Sequence, residues 1–303
     1  MNIGLVFPQT EFGSDPAAIR GYAQTAEGLG YSHVLAYDHV LGMHPTPDNA
    51  RRNDWQDGVW RGPYSHEHAF HEPFVLFGFM AAVTQRLGFA TGILVLPQRN
   101  AVVTAKQAAA LDVLSGGRLR LGVGVGWNKA EMANIGENPA NRGARLDEQL
   151  AVMRLLWTSE RAAFTGRWHT LTDASLSPLP VQRPIPLWFG GHAPEVMRRV
   201  AQWGGGWMPG FRQGDQAREW LAGLDAALAA AGRTREAIGI EPRLSWGDGD
   251  PEKWRATLAG WQAVGATHIS LNTMGLGFTS PDQHIVAMER FAREMNIHLH
   301  PQV

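Results

Sequence analysis

The sequence predicts an α/β chain folded as a (β/α)8 TIM barrel, and three observations carry that prediction. Eight short apolar stretches recur along the chain, most of them separated by a segment with helical periodicity, the alternation that builds parallel sheets. The passage Thr91–Trp127 reads as strand, helix, Gly-Gly-Arg turn and second strand, a crossover that lays two strand ends side by side. The length of 303 residues suits one domain over residues 1–303, because parallel barrels use about 250 residues as a single unit. An open doubly wound sheet is the alternative. It needs fewer strands and places nucleotide-binding glycines after the first of them, where this chain has Phe7-Pro8-Gln9-Thr10.

The elements follow in order. Ile3–Phe7 is the first strand. Asp15 and Pro16 open a helix as N-cap and first helical residue, and Leu29-Gly30 closes it. His33–Tyr37 is the second strand, followed by helix Pro73–Thr84. Leu87–Leu96 is the third strand, Ala101–Leu114 its helix, and Leu119–Val125 the fourth strand, with helix Arg145–Trp157 behind it. Strand Leu187–Gly190 precedes helix Pro194–Trp203, and strand Gly206–Pro209 precedes helix Gln216–Ala231. Strand Ile238–Glu241 leads to helix Pro251–Val264, and strand His268–Asn272 to helix Pro281–Met295. Three connections exceed plain barrel loops: His39–Glu72 after strand 2, Trp127–Gly143 after strand 4, and Ser159–Pro186, which holds a small hairpin around Phe164–Leu171. Long loops in compact domains are commonly functional. The first two directly follow strands, which puts them over the carboxyl-end face where barrel enzymes work.

Composition excludes several classes. A net charge of −1 with neutral histidines provides no field to recruit nucleic acid or an anionic membrane. The absence of cysteine removes disulfides, thiolate metal sites and a Cys nucleophile. The opening MNIGLVFPQT has no basic region and too few apolar residues for a signal peptide or a span, so a cytoplasmic protein is expected. Twelve Trp and twelve Phe give flat apolar surface suited to a core or to a planar ligand.

Several residues are candidates for chemistry. His39, after Asp38 at the end of strand 2, either moves a proton near neutral pH or serves packing. Gly122, Gly124 and Gly126 approach a dinucleotide fingerprint but fail it in spacing, and no helix starts at once. They fit either a backbone lying flat against a ring or phosphate, with Trp127 following, or tight packing at a barrel strand. Gly190-Gly191-His192-Ala193-Pro194 leads into a helix and suits a phosphate cradle of free N–H groups. His66, Glu67, His68, His71 and Glu72 have no metal-ligand spacing, so no metal is expected there; they read as a polar lid with a helix start at Glu72-Pro73. Arg51, Arg52 and Arg61 on the same lid either meet an acidic ligand tail or are solvated. Glu241 is the acid at a strand end that a flavin-free isomerase or lyase acting on a sugar phosphate would require.

Taken together, Thr91–Trp127, Arg142–Glu148, Leu187–His192 and Arg198–Trp207 resemble the bacterial luciferase-like superfamily, and within it the coenzyme F420-dependent oxidoreductases. The resemblance implies a (β/α)8 barrel with insertions that holds F420, or alternatively FMN, in its mouth. It implies that His39 lies near the reactive ring and that Asp38, Thr91, Gly92 and Ile93 adjoin the cofactor. In that family Gly92-Ile93 falls at a non-prolyl cis peptide behind the ring. Gly124, Gly126, Trp127, Gly190, Gly191, His192 and Ala193 match positions that hold the ring edge and phosphate. Phe7, Trp127 and the 39–72 loop would form the substrate wall. Two departures stand out: Trp127 replaces the catalytic Glu of sugar-phosphate dehydrogenases, which argues against glucose-6-phosphate oxidation, and Gly205 stands where Gly-Asp-Gly-Trp has its Asp. The implied activity is hydride transfer between F420 and a small, largely apolar organic substrate. An FMN-dependent monooxygenase and a non-catalytic flavin-binding protein are the alternatives. A homodimer is expected from family habit, with Trp203, Trp220, Trp254 and Trp261 available to an interface or to the core.

Overall fold

The computed structural model describes residues 1–44, 46, 55–56, 59–60, 62–210 and 215–297. Its elements are β1 (Asn2–Val6), α1 (Pro16–Gly28), β2 (His33–Ala36), a short antiparallel pair β3 (Trp55–Gln56) and β4 (Val59–Trp60), and α2 (Pro73–Ala81). Next come β5 (Gly88–Thr91), β6 (Leu94–Val95), α3 (Ala101–Ser115), β7 (Leu119–Gly124), α4 (Lys129–Asn134) and α5 (Arg142–Thr158). A hairpin of β8 (Ala162–Thr165) and β9 (Thr170–Ala174) precedes β10 (Leu187–Gly190), α6 (Pro194–Trp203), β11 (Gly206–Met208) and α7 (Asp215–Ala230). The chain continues through β12 (Gly239–Ile240), β13 (Arg243–Ser245), α8 (Pro251–Ala263), β14 (His268–Asn272) and α9 (Pro281–Glu294). Helix starts follow local chemistry. Asp15 accepts from the Ala17 and Ala18 amides, Asn100 from Val102 and Val103, and Glu72 from Val75, each satisfying donors that the first turn leaves open.

The main sheet is parallel throughout and runs β12-β11-β10-β7-β5-β2-β1-β14-β13, with β6 beside β7. It curls, and helices flank it, a TIM-barrel-like arrangement. The two ends of the strand order are consecutive in the chain, parted only by Glu241-Pro242. Backbone bonds of 3.1 Å, Thr267 N–H to Ile240 O and Ser270 N–H to Pro242 O, cross that seam. Two expected strands differ in extent. The run over 87–96 breaks at Gly92-Ile93, whose peptide bond is cis. The strand expected over 238–241 is β12, and past Pro242, which has no N–H to give a ladder, the chain resumes as the unexpected β13. Among the described residues no helix is long and apolar enough to cross a membrane.

Strand parity sorts the core. Leu5 and Phe7 face the helices, while Val6 faces the sheet's concave side with Leu35, Ala90, Trp188 and Met208. Phe7 is therefore not a substrate wall: it is wholly buried against Phe12 and Tyr22, at ring distances of 4.9 and 5.4 Å. Trp254 and Trp261 are likewise core residues rather than interface surface. Trp188 fills the concave side so closely that a Cβ on Gly206 or Gly239 would lie 2.3 or 2.2 Å from its ring.

A polar cluster sits near the amino ends of the strands. Glu241 accepts from Ser270 Oγ at 2.6 Å, lies 2.6 Å from His33 Nε2 and forms an ion pair with Arg120 at 2.8 Å. Burial alone would raise its carboxyl, but His33, Arg120 and Ser270 hold it far below the usual range. Burial pushes His33 down. Glu241 is only 2% exposed and is enclosed by His33, Ser270 and Arg120, which leaves it no access to a sugar-phosphate substrate as an isomerase base.

The motifs that carried the resemblance clasp one another. Asp147 of the Arg142–Glu148 run bonds Arg199 of the later run at 2.7 Å, and Glu148 accepts three hairpin amides, from Arg167, Trp168 and His169. Trp207 Nε1 donates to Gly191 O at 2.7 Å.

Candidate active site

The carboxyl ends of β2, β6 and β7, with the first residue of β13, converge on a cavity of about 290 Å³. Tyr37, Asp38 and His39 line it from the end of β2, Gly92, Ile93 and Val95 from the cis bulge, Gly126 and Trp127 from beyond β7, and Arg243 from β13. Gln9 fixes the β2 end by bonding both backbone groups of Tyr37, from N–H at 2.6 Å and to O at 3.1 Å.

His39 is held on three sides. Its ring stacks on Tyr64 with centroids 3.6 Å apart and meets Phe70 and Trp127 edge-on. Its Nδ1 lies 3.1 Å from Glu131 Oε2, a carboxylate only 1% exposed. Glu131 also accepts from Tyr64 Oη at 2.9 Å and from the Val40 and Leu41 amides at 2.5 and 3.2 Å. Burial would raise the Glu131 carboxyl, but His39 and those amides outweigh it and hold it below the ordinary carboxylate range. An ionised acceptor on Nδ1 fixes the proton there and turns Nε2 toward the cavity. Asn128 completes the set by donating to Tyr64 Oη at 2.8 Å and capping the Glu131 amide at 3.1 Å.

Asp38 is a brace. Its carboxylate accepts from Val95 N–H at 2.9 Å and from Arg99 Nε and Nη2 at 3.1 and 2.7 Å, so it pins the bulge to the β2 end. Arg99 reaches on to Glu72 at 2.8 Å. Burial opposes its charge, but the two carboxylates raise its pKa above the ordinary value.

The glycines make room for the bulge. A Cβ on Gly124 would sit 2.8 Å from Ile93 Cδ1, one on Gly190 2.5 Å from Ile93 Cγ2, and one on Gly126 2.5 Å from Val95 Cγ1. Gly124 and Gly190 thus accommodate the Ile93 side chain, which for Gly124 is the packing alternative of the sequence reading. Gly126 has φ +69°, which an L side chain rarely adopts. Thr91 is also behind the site, wholly buried with its hydroxyl donated to Gly122 O at 2.6 Å. Gly191, His192 and Ala193 lie outside this cavity. Ala193 opens α6 without a side-chain cap, and His192 rests on Trp220 at 5.0 Å.

Of the lid residues, His66 packs on His44, the His68 ring accepts from Ser65 N–H at 2.8 Å, and Glu72 caps α2 while holding Arg99. Arg51, Arg52 and Arg61 lie outside the described residues. Glu131, Tyr64 and Arg243 were not singled out in the sequence. Asn128 and Glu131 have helix-cap spacing, which accounts for both locally, and Arg243 falls beyond the expected end of its strand.

The model of one protein family, described as luciferase-like monooxygenase, matches residues 1–285. The chain belongs to the luciferase-like monooxygenase family. An uncharacterized protein of Mycobacterium tuberculosis is 31% identical over 97% of this chain and 99% of its own length. The F420-dependent glucose-6-phosphate dehydrogenase of Intrasporangium calvum is 29% identical over 98% of this chain and 82% of its own. The crystal structure of monooxygenase RslO1 from Streptomyces bottropensis covers 99% of this chain and 100% of its own, at a TM-score of 0.79 and 20% identity.

The cavity of this luciferase-like chain fits a flat, partly anionic ring. Ile93 offers an apolar floor, Tyr37 and Trp127 supply aromatic walls, and His39 and Arg243 contribute polar atoms. Arg243 has no carboxylate partner among the described residues.

Proposed function

We propose that this chain is a deazaflavin oxidoreductase that moves a hydride between coenzyme F420 and a small organic substrate. One observation carries the reading: a histidine oriented by a buried glutamate opens onto a cavity backed by the Gly92–Ile93 bulge, which Asp38 braces, in a member of this family. When bound, the deazaflavin supplies a ring carbon that exchanges hydride and does not activate oxygen as a flavin does. The protein supplies the rest. Ile93 and Val95, held by Asp38, support one face, and Trp127 and Tyr37 border the substrate space and exclude water. Gly190 to Ala193 and the uncapped start of α6 would take the phosphate. His39 Nε2 gives or takes the substrate proton, with Nδ1 anchored on Glu131, so the proton moves without reorienting the ring.

Trp127 stands where a sugar-phosphate enzyme needs a carboxylate, so the substrate differs from that of the Intrasporangium calvum relative. The seam bonds at Ile240 and Pro242 support closure into one (β/α)8 barrel domain, with insertions at 39–72, 127–143 and 159–186. A cytoplasmic homodimer fits a row of exposed apolar residues on neighbouring helices: Val75 on α2 and Val102, Val103, Val113 and Leu114 on α3. Light scattering of the wild type and of Leu114→Glu tests the dimer.

The deciding experiment titrates the protein with F420 and with FMN and follows each chromophore. F420 binding with FMN exclusion supports the reading. Tight FMN binding with no F420 binding replaces it with an FMN-dependent monooxygenase. His39→Ala that retains binding and loses turnover excludes a storage protein.

A further inference from the structure

Several buried and half-buried arginines of this molecule are held by carboxylates or by carbonyls. Arg99, Arg145 and Arg199 face carboxylates, and Arg120 pairs with Glu241. Arg118 spreads its donors over four backbone carbonyls and one hydroxyl, and Arg233 over four carbonyls. Arg142, Arg154 and Arg243, all half-buried, have no carboxylate partner among the described residues, and of the three Arg243 is the one that lines the cavity holding His39. It donates to the Gly92 carbonyl at 3.3 Å and lies over the Tyr37 ring at 5.5 Å. A guanidinium has five N–H donors in a planar fork that matches a carboxylate, and those of Arg243 stay accessible to a ligand in the cavity it lines.

Its location gives the spare donors a purpose. Arg243 lines the cavity that holds His39 and also a second cavity of about 340 Å³, lined by Ser245, Trp246, Asp248 and Lys253 among others. It therefore stands between two cavities of mixed polar and apolar lining. A ligand in the first would set an apolar body against Tyr37, Ile93 and Trp127 and its polar end on the guanidinium.

We propose that Arg243 is the anchor for a carboxylate on the substrate, so that the enzyme acts on an organic acid with an apolar body. The proposal rests on the hydride-transfer reading and narrows it from a largely apolar substrate to an amphipathic one. A bidentate Arg–carboxylate pair fixes orientation as well as position, which would present the reacting carbon to His39. The coenzyme's own acidic groups could claim the same fork, and the test separates the two sources.

Acetate, benzoate and 3-phenylpropionate, each against its primary amide, are titrated into the protein with tryptophan fluorescence as the readout. The variants are Arg243→Gln and Arg243→Lys, with circular dichroism confirming the fold. At least one acid should bind the wild type about 10-fold or more tightly than its amide, the range of a charge-assisted bond. Arg243→Gln should lose that preference and Arg243→Lys should keep part of it. The proposal is overturned if no acid is preferred, or if Arg243→Gln binds acids as the wild type does. It is also overturned if Arg243→Gln weakens F420 binding and leaves acid binding intact, which assigns the fork to the coenzyme. FMN binding in place of F420, with the acid preference retained, would sink the hydride-transfer reading and leave the anchor standing.

Discussion

Among the described residues four histidines meet a glutamate, and the contrast between two of them is instructive. His39 lies 3.1 Å from Glu131 at the carboxyl ends of the strands, and His33 lies 2.6 Å from Glu241 near the amino ends. Both glutamates are buried and held below the usual carboxylate range. The upper histidine is 14% exposed and borders a cavity. The lower pair is enclosed by Arg120, Ser270 and Trp188, and the close approach of strand β1 requires Gly4, whose Cβ would lie 2.3 Å from the His33 ring. The same residue pair therefore serves two ends, and access to open space decides which. A barrel places loops at one end of its strands and packed side chains at the other.

The largest effect that sharpens this comparison is on turnover. His39→Ala should reduce it by about 10²–10⁴-fold, the usual contribution of a positioned acid or base, and cost less stability than removal of the enclosed His33. If stability fell as far as it does without His33, His39 would belong with His33. Next, Glu241→Gln should cost about 3–5 kcal/mol in chemical denaturation, because it leaves Arg120 buried without its counter-charge. Coenzyme affinity of the folded fraction should not change, and a weakened affinity would break the contrast. Gly124→Ala should cost about 1–3 kcal/mol through crowding of Ile93. Adding Ile93→Ala should recover most of that loss, and no recovery would mean that the glycine faces something other than the bulge.

The smallest effect is a pH slope from the lower cluster. Burial, aided by Arg120, pushes His268 down to about 3 from an ordinary 6.5, and burial also lowers His33. As pH falls below 6.5 the unfolded chain takes up protons at these sites and the folded chain does not, so stability declines toward pH 3. Each histidine contributes at most about 1.4 kcal/mol per pH unit. His268→Gln should flatten the slope measured by denaturation between pH 7 and 4.5. An unchanged slope would place its origin elsewhere.

Much of the frame was legible along the chain because its causes are local. Asp15, Glu72 and Asn100 each cap the helix that follows through amides two or three residues away. The hairpin expected around Phe164–Leu171 is β8 and β9. The motif runs pointed to the family correctly, yet several of their residues hold other motif residues in place, as Asp147 does Arg199. Phe7 was misplaced because a strand-end position does not say which face a side chain takes. Glu131 escaped notice because its helix-capping spacing explains it without reference to His39, 92 positions away.

The order of short apolar runs and helix caps determined the alternation of elements, the parallel sheet and the end at which a site would lie, because those depend on contacts between near neighbours in the chain. Only the tertiary structure decided which glutamate each histidine meets, that Gly124 and Gly190 yield space to Ile93, and that Arg243 stands between two cavities with no carboxylate partner among the described residues. Those pairings join residues far apart in sequence, and they exist only once the curled sheet brings its strand ends together.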